Sequence, residues 1–290
     1  MRGKIIKGIA GFYYVVCDEH VYSCKAKGVF RSRNIKPMIG DDVSFTITDE
    51  AASEGNVDEI LPRRNSLIRP SVANVDLALM TMSCAHPAPQ LYLLDKYLIS
   101  MGMQELPAVV VFTKCELIQD RGASLKNIYE HAGYRTFCLS ADTGEGVSEL
   151  LEYIDGRTAV LAGPSGVGKS TLTNAVCPDA EMETNDISRK IERGRHTTRH
   201  CELFVVNDHT FICDTPGFTS VLVESLLPDQ LKLYMPDLAK YEGCCRFDNC
   251  VHIKEPGCKV KEDVENGGIE SSRYESYKKI YSELSDIKRY

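Results

Sequence analysis

The sequence predicts an α/β protein with three parts: a small β-barrel, a larger domain with a mostly parallel sheet, and a helical segment rich in cysteine. Three observations support this class. Short alternating runs separated by turn residues fill residues 1–65, and apolar runs then alternate with helical stretches as far as residue 213. After residue 226 the strand pattern stops and cysteines cluster. Alternating strands and helices are typical of a parallel sheet covered by helices, which places the domain boundaries at 1–65, 66–222 and 223–290.

The composition is that of a folded protein rather than a fibre or a disordered chain. Of the 290 residues, 43% are hydrophobic and 26% are charged, and both fractions lie near the globular average. No apolar run approaches the roughly 18 residues of a membrane span, and the N-terminus lacks the apolar core of a secretion signal. We therefore expect a cytoplasmic protein without a membrane partner, and separately we expect a monomer. The net charge of −7 argues against general adhesion to nucleic acid, although a local basic patch is still possible.

The first part predicts a five-stranded closed barrel, for which an OB-fold is the leading candidate. Between residues 1 and 36, eight lysines and arginines stand against two acidic residues, and the aromatic residues Tyr13, Tyr14, Tyr22 and Phe30 are interleaved with them. A basic, aromatic barrel face is typical of RNA-binding proteins. The alternative is a barrel core with an ordinary solvated face, and the residues alone favour neither. The predicted strands are Lys4–Ala10, Tyr13–Val16, Val21–Lys25, Asp42–Thr48 and Val57–Leu61.

A linker and then an α/β domain follow the barrel. Residues 62–72 contain two prolines and three arginines, which indicates a connection. Beyond them, each apolar run of strand length precedes a stretch with helical spacing, and two short strands around Asn207 indicate a hairpin. Further helices are predicted at Pro228–Tyr241 and Glu262–Tyr290. The predicted strand and helix pairs are Val75–Met82 with Gln90–Met103, Ala108–Thr113 with Ser124–Ala132, Thr136–Ser140 with Val147–Ile154, and Thr158–Ala162 with Lys169–Val176.

Residues 163–171 (GPSGVGKST) contain the phosphate-binding pattern G-x-x-x-x-G-K-[ST] between a predicted strand and a predicted helix. The glycines let backbone N–H groups turn toward phosphate oxygens, and the helix start adds the positive end of its dipole. Lys169 would reach the β- and γ-phosphates, and the Ser170 hydroxyl would bind Mg²⁺. A chance glycine-rich turn is the alternative, which the flanking elements disfavour. The predicted phosphate-binding residues are Gly163, Pro164, Ser165, Gly166, Val167, Gly168, Lys169, Ser170 and Thr171.

Two further segments predict a nucleotide-dependent switch. The last strand of the sheet ends in D-x-x-G, in which Asp214 can hold a Mg²⁺-bound water and the Gly217 N–H can contact a γ-phosphate. Residues 188–200 (SRKIERGRHTTRH) are polar and basic, as expected of a switch loop. They offer Thr197 or Thr198 to Mg²⁺ and the γ-phosphate. The alternative interpretation of this segment is an exposed basic loop.

No guanine-binding N-K-x-D motif follows these segments. Upstream, however, the strand at Ala108–Phe112 runs into T-K-C-E, and the next strand ends in Ser-Ala. These positions suit base recognition if the domain is circularly permuted, because strand ends surround a nucleotide whatever their order along the chain. The candidate base-binding residues are Thr113, Lys114, Cys115, Glu116, Ser140 and Ala141.

The cysteine cluster has metal-ligand spacing. The run Cys245-x₄-Cys250-x-His252-x₅-Cys258 places three thiols and one imidazole within 14 residues. This donor set is typical of a closed, structural Zn²⁺ site, with one ion per chain. Chance clustering of buried cysteines is the alternative. The other cysteines lie mostly along apolar runs, and without a secretion signal they predict packing residues rather than a disulfide framework.

The order of base motif, Ser-Ala pair, phosphate loop, switch and D-x-x-G resembles that of a circularly permuted GTPase. With the barrel and the cysteine cluster, the whole chain resembles the ribosome small-subunit-dependent GTPases of the RsgA/YjeQ family. The most specific segments are residues 163–171, 194–199, 214–218 and 245–258. The resemblance implies an OB-fold, a permuted GTPase domain and a zinc domain. It also implies a cytoplasmic GTP hydrolase that uses Mg²⁺, binds the small (30S) ribosomal subunit and its rRNA, and acts late in the maturation of that subunit.

Two positions predict departures from the usual behaviour of this family. The family's N-K-x-D is T-K-C-E at 113–116, so the acid is one methylene longer and the asparagine amide is lost, and we expect weaker guanine discrimination. The residue after D-x-x-G is Phe218, which cannot orient water. Intrinsic hydrolysis should therefore be slow and stimulated by the ribosomal subunit, with His196 as the candidate for orienting the water. Binding of RNA phosphate or plain solvent exposure is the alternative role for His196.

Two other functions stay open on the sequence alone. One is an RNA-binding module in which the nucleotide is a structural ligand with little turnover. The other is an ATP-using P-loop enzyme, which the altered base motif allows and Ser140-Ala141 opposes. The order of the motifs favours the GTPase. Because the chain passes from D-x-x-G directly into the C-terminal helices, movement of Asp214–Thr219 is expected to pull on the cysteine-rich domain.

Overall fold

The structure is a computed structural model that describes residues 1–28, 30, 35–68, 70–180, 201–214 and 222–287. The chain forms two compact units, each assembled from three separate segments. Unit 1 consists of Met1–Ala78, Val147–Ala162 and Gly168–Phe218, and unit 2 consists of Leu79–Gly146, Gly163–Val167 and Thr219–Tyr290. Within the described ranges, each helix is too short or too polar to span a bilayer.

A closed barrel occupies the start of unit 1 and confirms the five-stranded barrel predicted for this region. The strand order is β1-β2-β3-β5-β4, in which β3 and β5 run parallel and the other neighbours antiparallel. Side chains at alternate positions point inward, and those of Ile5, Val15, Cys24, Val43, Phe45 and Val57 are fully buried. The strands are β1 (Arg2–Ile9), β2 (Phe12–Cys17), β3 (His20–Ala26), β4 (Asp42–Asp49) and β5 (Glu54–Ile60).

Several described residues of the predicted linker, residues 62–72, make contacts within unit 1. Arg63 donates two hydrogen bonds to the fully buried Asp41, from Nε to Oδ1 (2.6 Å) and from Nη2 to Oδ2 (2.9 Å). These hydrogen bonds raise the pKa of the Arg63 guanidinium. Leu67 and Val72 are buried as well. Two of the arginines of the predicted linker thus have acidic partners, Arg63 in Asp41 and Arg64 in Asp76, although the Arg64 side chain stays exposed.

The remaining strands of unit 1 have mixed directions. β9 and β11 pair in parallel, with Phe211 opposite Thr158 and Asp214 opposite Leu161, while β10 and β11 pair antiparallel and confirm the predicted hairpin. Every residue of β9 is buried, as expected of a strand covered on both faces. The elements are α3 (Val147–Ile154), β9 (Thr158–Ala162), α4 (Lys169–Val176), β10 (Glu202–Asn207) and β11 (Thr210–Asp214).

Two of the cysteines predicted as packing residues lie close to each other. The Cα atoms of Cys201 and Cys213 are 6.8 Å apart at the hairpin, and Cys213 is fully buried. Antiparallel pairing of β10 with β11 brings these two positions together, which spacing along the sequence did not reveal. Cys24, Cys84 and Cys177 are buried, as predicted.

Unit 2 contains most of β6 together with β7 and β8. β6 is buried along its whole length, and β7 pairs in parallel with β8. Two helices predicted from apolar spacing are present here, with their starts shifted by one and by five residues from the predicted Gln90 and Ser124. The elements are β6 (Leu77–Ser83), α1 (Leu91–Met103), β7 (Ala108–Thr113), α2 (Gln119–His131) and β8 (Thr136–Cys138).

The C-terminal part of unit 2 is helical, but its helices are shorter than predicted. Met235 is extended because it precedes Pro236, which divides the predicted helix into a 3₁₀ turn and a short α-helix. Gly267, at φ +78°, separates the last two helices. Ile99 of α1 lies in the same apolar core as Leu231 and Tyr277. The elements are Leu222–Ser225 and Pro228–Tyr234 (both 3₁₀), α5 (Pro236–Ala239), α6 (Lys259–Glu265) and α7 (Ser271–Asp286).

Candidate nucleotide site and metal cluster

The phosphate loop follows β9, and its backbone needs glycine. Gly163 has φ +152°, and a Cβ atom there would lie 2.2 Å from the Thr81 carbonyl oxygen. Gly166 and Gly168 also have positive φ, +79° and +95°. Helix α4 begins directly afterwards, at Lys169, and the first N–H groups of a helix have no partner within it. A loop of this shape presents N–H donors to an anion such as phosphate.

The T-K-C-E segment at the end of β7 is hydrogen-bonded to the phosphate loop. Thr113 is buried, and its Oγ1 donates to the Val167 carbonyl oxygen at 2.5 Å. Lys114 Nζ donates to the carbonyl oxygens of Gly166 (2.8 Å) and His86 (2.6 Å). Lys114 has φ +60° and turns the chain into the short 3₁₀ helix Cys115–Leu117. The Thr113 hydroxyl thus supplies a donor at the position where N-K-x-D has an amide.

The loop that follows β8 lies beside this segment. The Cys115 N–H donates to the Leu139 carbonyl oxygen (3.4 Å), and the neighbouring Ser140 is buried, with its Oγ accepting the Thr143 N–H (3.1 Å). Glu116 Oε2 is buried and has no hydrogen-bond partner among the described residues. Buried carboxylate oxygens are rarely left unpaired in folded proteins. This oxygen is therefore suited to accept an N–H donor from a ligand.

The predicted magnesium and switch residues are only partly described. Asp214 ends β11 in register with Leu161 of β9, the strand that leads into the phosphate loop. Ser170 lies in the first turn of α4, within unit 1 like Asp214. The other predicted residues lie outside the described part of the chain: His196, Thr197, Thr198, Gly217 and Phe218.

The predicted cysteine and histidine quartet converges in unit 2. Nδ1 of His252 lies 3.5, 3.4 and 3.3 Å from the sulfurs of Cys245, Cys250 and Cys258, and the sulfurs of Cys245 and Cys258 are 4.0 Å apart. Tetrahedral Zn²⁺ with bonds of about 2.3 Å to sulfur and about 2.1 Å to nitrogen has N···S edges of about 3.6 Å and S···S edges of about 3.8 Å. The four donors therefore fit a tetrahedral metal ion as they stand.

Surrounding side chains hold the ligand loop in place. The Glu255 carboxylate accepts the N–H groups of Val251 (2.9 Å), Ile253 (2.9 Å) and Lys254 (3.0 Å). Burial raises the pKa of Glu255, but these N–H donors outweigh burial and bring it below its ordinary value. Three further side chains donate hydrogen bonds to carbonyl oxygens of the loop. Tyr274 donates to the carbonyl oxygen of His252 (2.7 Å), Tyr277 to that of Val251 (2.6 Å), and Lys232 to that of Cys250 (3.0 Å).

Sequence analysis missed a buried ion cluster in unit 2. Arg273 of α7 donates to both oxygens of Asp237, from Nε (3.0 Å) and Nη2 (2.8 Å), and also to Asp95 of α1. The three side chains are at most 3% exposed. Tyr129 OH donates to Asp95 Oδ1 (2.9 Å). One signal was present in the sequence: Asp95 interrupts an apolar helix, and aspartate is almost never fully buried without a partner.

The T-K-C-E segment at residues 113–116, called the base loop below, is hydrogen-bonded to the phosphate loop but comes before it in the chain. This combination defines a circularly permuted P-loop GTPase. The chain belongs to the RsgA GTPase family. The family model described as RsgA GTPase matches residues 60–224. The model described as the RsgA N-terminal domain matches residues 2–55.

Relatives along the whole chain support this assignment. The small ribosomal subunit biogenesis GTPase RsgA of Agathobacter rectalis is 47% identical over 302 residues, which cover 100% of both chains. The protein of the same name from Alkaliphilus metalliredigens is 42% identical over 290 residues and covers 100% of this chain and 99% of its own.

Two solved structures share the fold. The crystal structure of YjeQ from Thermotoga maritima matches with a TM-score of 0.80 at 34% identity and covers 99% of both chains. The crystal structure of YloQ, described as a circularly permuted GTPase, matches with a TM-score of 0.78 at 33% identity and covers 100% of this chain and 96% of the other. The predicted combination of barrel, permuted GTPase domain and C-terminal metal-ligand cluster is confirmed.

Proposed function

We propose that this chain hydrolyses GTP to GDP and phosphate on the small ribosomal subunit and assists the late maturation of that subunit. One observation carries the nucleotide part: Thr113 and Lys114 bind carbonyl oxygens of the phosphate loop, which joins a base-recognition segment to a phosphate site. Family membership and the names of the two relatives support the ribosomal part.

In this proposal the Glu116 carboxylate accepts the N–H donors of guanine, with its buried Oε2 as the available acceptor. The alkyl stem of Lys114 packs on the base, and the Ser140-Ala141 turn flanks it together with Cys115. Ser170 and Thr198 would hold Mg²⁺, which would supply positive charge to neutralise the phosphates. The other residues of the proposal are Gly163–Thr171 on the phosphates, Thr197, Asp214 and Gly217 around the γ-phosphate, and His196 on the attacking water.

The metal cluster holds a structural Zn²⁺ ion in this proposal. Its support is the donor set itself, since three thiols and one imidazole at tetrahedral separations match the preference of Zn²⁺ for sulfur and nitrogen. All four ligand positions come from the protein, which leaves no coordination position for a substrate. The ion therefore stabilises the ligand loop and takes no part in hydrolysis.

The domain roles follow the proposed boundaries 1–65, 66–222 and 223–290, for a cytoplasmic monomer. The barrel binds rRNA through its basic, aromatic surface, where the Lys25 ammonium lies 5.2 Å from the centre of the partly exposed Phe12 ring. Aromatic rings with neighbouring cations are platforms on which single-stranded bases stack. The central domain binds GTP, and the C-terminal domain carries zinc.

The test is phosphate release from GTP and from ATP by the full, zinc-loaded chain, with and without purified small ribosomal subunits. We expect slow release from GTP alone, strong stimulation by the subunits, and little use of ATP. Equal use of ATP would contradict guanine recognition by the T-K-C-E segment. Subunit binding without turnover would instead favour an RNA-binding module with nucleotide as a structural ligand.

Two variants test phosphate binding and catalysis separately. Lys169→Ala should lose GTP hydrolysis through weaker phosphate binding, and it serves as the inactive control for contaminating nucleotidases. His196→Ala should lower kcat while leaving the Kd for a non-hydrolysable GTP analogue unchanged. An unchanged kcat in the presence of subunits would remove His196 from the mechanism.

A further inference from the structure

Three cysteine thiols meet behind the base loop in unit 2, and the proposed GTPase reaction uses none of them as a nucleophile. The sulfurs of Cys84 and Cys115 are 3.4 Å apart. Cys138, at the end of β8, donates to the Gly122 carbonyl oxygen (3.2 Å), and a Cβ atom at Gly122 would lie 3.4 Å from the Cys115 sulfur and 3.7 Å from the Cys138 sulfur. Cys115 is therefore the central thiol of a cluster contributed by three separate chain segments.

The environment of Cys115 favours its thiolate form. Contacts with the sulfurs of Cys138 and Cys84 lower the pKa of Cys115, while the same contacts and burial raise the pKa of the Cys84 and Cys138 thiols. Cys115 is partly exposed and Cys84 is buried. A partly exposed thiolate next to a second thiol is the arrangement found at oxidation-sensitive cysteines, because the thiolate is the nucleophile and the neighbour resolves its oxidised form.

We propose that Cys115 is a site of oxidation by hydroperoxides and that Cys84 resolves it to a Cys84–Cys115 disulfide. The Cys115 thiolate attacks one oxygen of hydrogen peroxide, the O–O bond breaks, and a sulfenic acid forms with release of hydroxide. Cys84 then gives up its proton and attacks the Cys115 sulfur, the S–O bond breaks, and water leaves. In sum, two thiols are oxidised to one disulfide and one peroxide is reduced to two waters.

The second step, formation of the Cys84–Cys115 disulfide, needs only a small movement of the sulfur atoms. The backbones are already adjacent, because the Cys84 N–H donates to the Thr113 carbonyl oxygen at 2.9 Å. A disulfide bond is about 2.05 Å long, so the sulfurs need to approach by about 1.4 Å from their present 3.4 Å. Cys84 is fully buried, so the partly exposed Cys115 side chain makes most of this approach.

The consequence rests on the proposed function of the T-K-C-E segment. Cys115 lies between Lys114, which is bound to the phosphate loop, and Glu116, the proposed guanine acceptor. Drawing Cys115 toward Cys84 displaces the Glu116 carboxylate from the base. We expect the oxidised chain to bind GDP about tenfold more weakly or worse, which corresponds to losing one charge-assisted hydrogen bond.

The experiment treats the full, zinc-loaded chain with hydrogen peroxide, blocks remaining thiols by alkylation, and identifies linked peptides by mass spectrometry before and after a reductant. We expect a linkage between the peptides of Cys84 and Cys115, lighter by two hydrogen atoms than the separate peptides and cleaved by the reductant. Zinc release is followed in parallel, so that oxidation of the metal ligands is recognised. A Cys115 that stays reduced, links to Cys138, or proceeds to sulfinic acid overturns the proposal.

Matched variants complete the test. Cys84→Ser should abolish the linkage and retain GDP affinity after peroxide treatment, while Cys138→Ser should still form it. Peptide mapping needs no nucleotide, so it reports on the thiols even if the chain fails to bind GDP. Absence of GDP binding in the reduced chain would contradict the proposed function, whereas equal GDP affinity of the mapped disulfide form and the reduced form would overturn only the regulatory consequence.

Discussion

Replacing Arg273 with methionine is expected to destabilise unit 2 strongly, because it leaves two buried carboxylates without their positive partner. Arg273 is 1% exposed, Asp95 1% and Asp237 3%, so solvent cannot take over the role of the guanidinium. Removing one partner of a buried ion pair costs about 3–5 kcal/mol. The pairs join α7 to Asp95 in α1 and to Asp237 in α5, and this free energy should be lost from the packing of these helices.

The assay is hydrogen–deuterium exchange of backbone amides in α1 and α7, which measures local opening without assuming that the whole chain unfolds in one step. Since about 1.36 kcal/mol changes an equilibrium constant tenfold, exchange should be faster by roughly two to four orders of magnitude. Glu283→Gln is the matched control. Its pair with Lys96 joins the same two helices at 3.1 Å, but the side chains are 44% and 20% exposed, so the expected cost is below about 1 kcal/mol.

The pH dependence of stability provides a second test of the same variant. Burial raises the pKa of Asp95 in the folded state, and loss of Arg273 should raise it further. A carboxyl whose pKa is raised in the folded state stabilises the fold most at pH values below its pKa in the unfolded state, about 3.9. This contribution is lost as the pH rises through the pKa of the folded state. The deficit of Arg273→Met should therefore be full at neutral pH and shrink toward pH 4. A loss of stability below about 1 kcal/mol at neutral pH would refute this account of the cluster, because ion pairs on the exposed surface already contribute that much.

Three further predictions concern the proposed sites. Gly163→Ala should abolish nucleotide binding in a fluorescent GDP titration, because its Cβ would lie 2.2 Å from the Thr81 carbonyl oxygen; normal binding would contradict the described loop. Glu116→Asp should sharpen preference for GTP over ATP in competition titrations, whereas Glu116→Gln should weaken GTP binding about tenfold through loss of the charged acceptor. Chelation of zinc should expose residues 245–258 to proteolysis and rapid amide exchange, because short metal loops rarely stay folded without their ion; full protection would show that the Glu255 and Tyr274 hydrogen bonds suffice.

Much of the fold could be predicted because its signals are local. Strand β9 and helix α4 begin and end where apolar spacing and the G-K-S pattern placed them, and the four clustered metal-ligand residues could be listed from spacing alone. Errors arose where local rules compete. The helix predicted from Pro228 was too long because Pro236 forces Met235 into an extended conformation.

Features that depend on distant residues could not be predicted. The segment at 62–72 has the composition of a linker, yet Asp41 holds Arg63 within unit 1. Likewise, Cys84 and Cys138 are far from Cys115 in the sequence, and only the packing of their chain segments brings the sulfurs together. The Thr113 bond to the phosphate loop belongs to the same group, since composition does not show that a hydroxyl reaches a carbonyl oxygen 54 residues away.

The packing of unit 2 limits how the C-terminal region can respond to nucleotide. Chain order alone suggests a lever, in which movement after Asp214 pulls on the cysteine-rich domain. The C-terminal helices, however, share one apolar core with α1, in which Ile99 packs with Leu231 and Tyr277, and Arg273 ties α7 to Asp95 of α1. Since α1 leads into β7 and the base loop, the metal cluster cannot shift far from the base loop without separating buried charges. We therefore expect the metal cluster, α1 and the base loop to move together when a nucleotide binds at the phosphate loop.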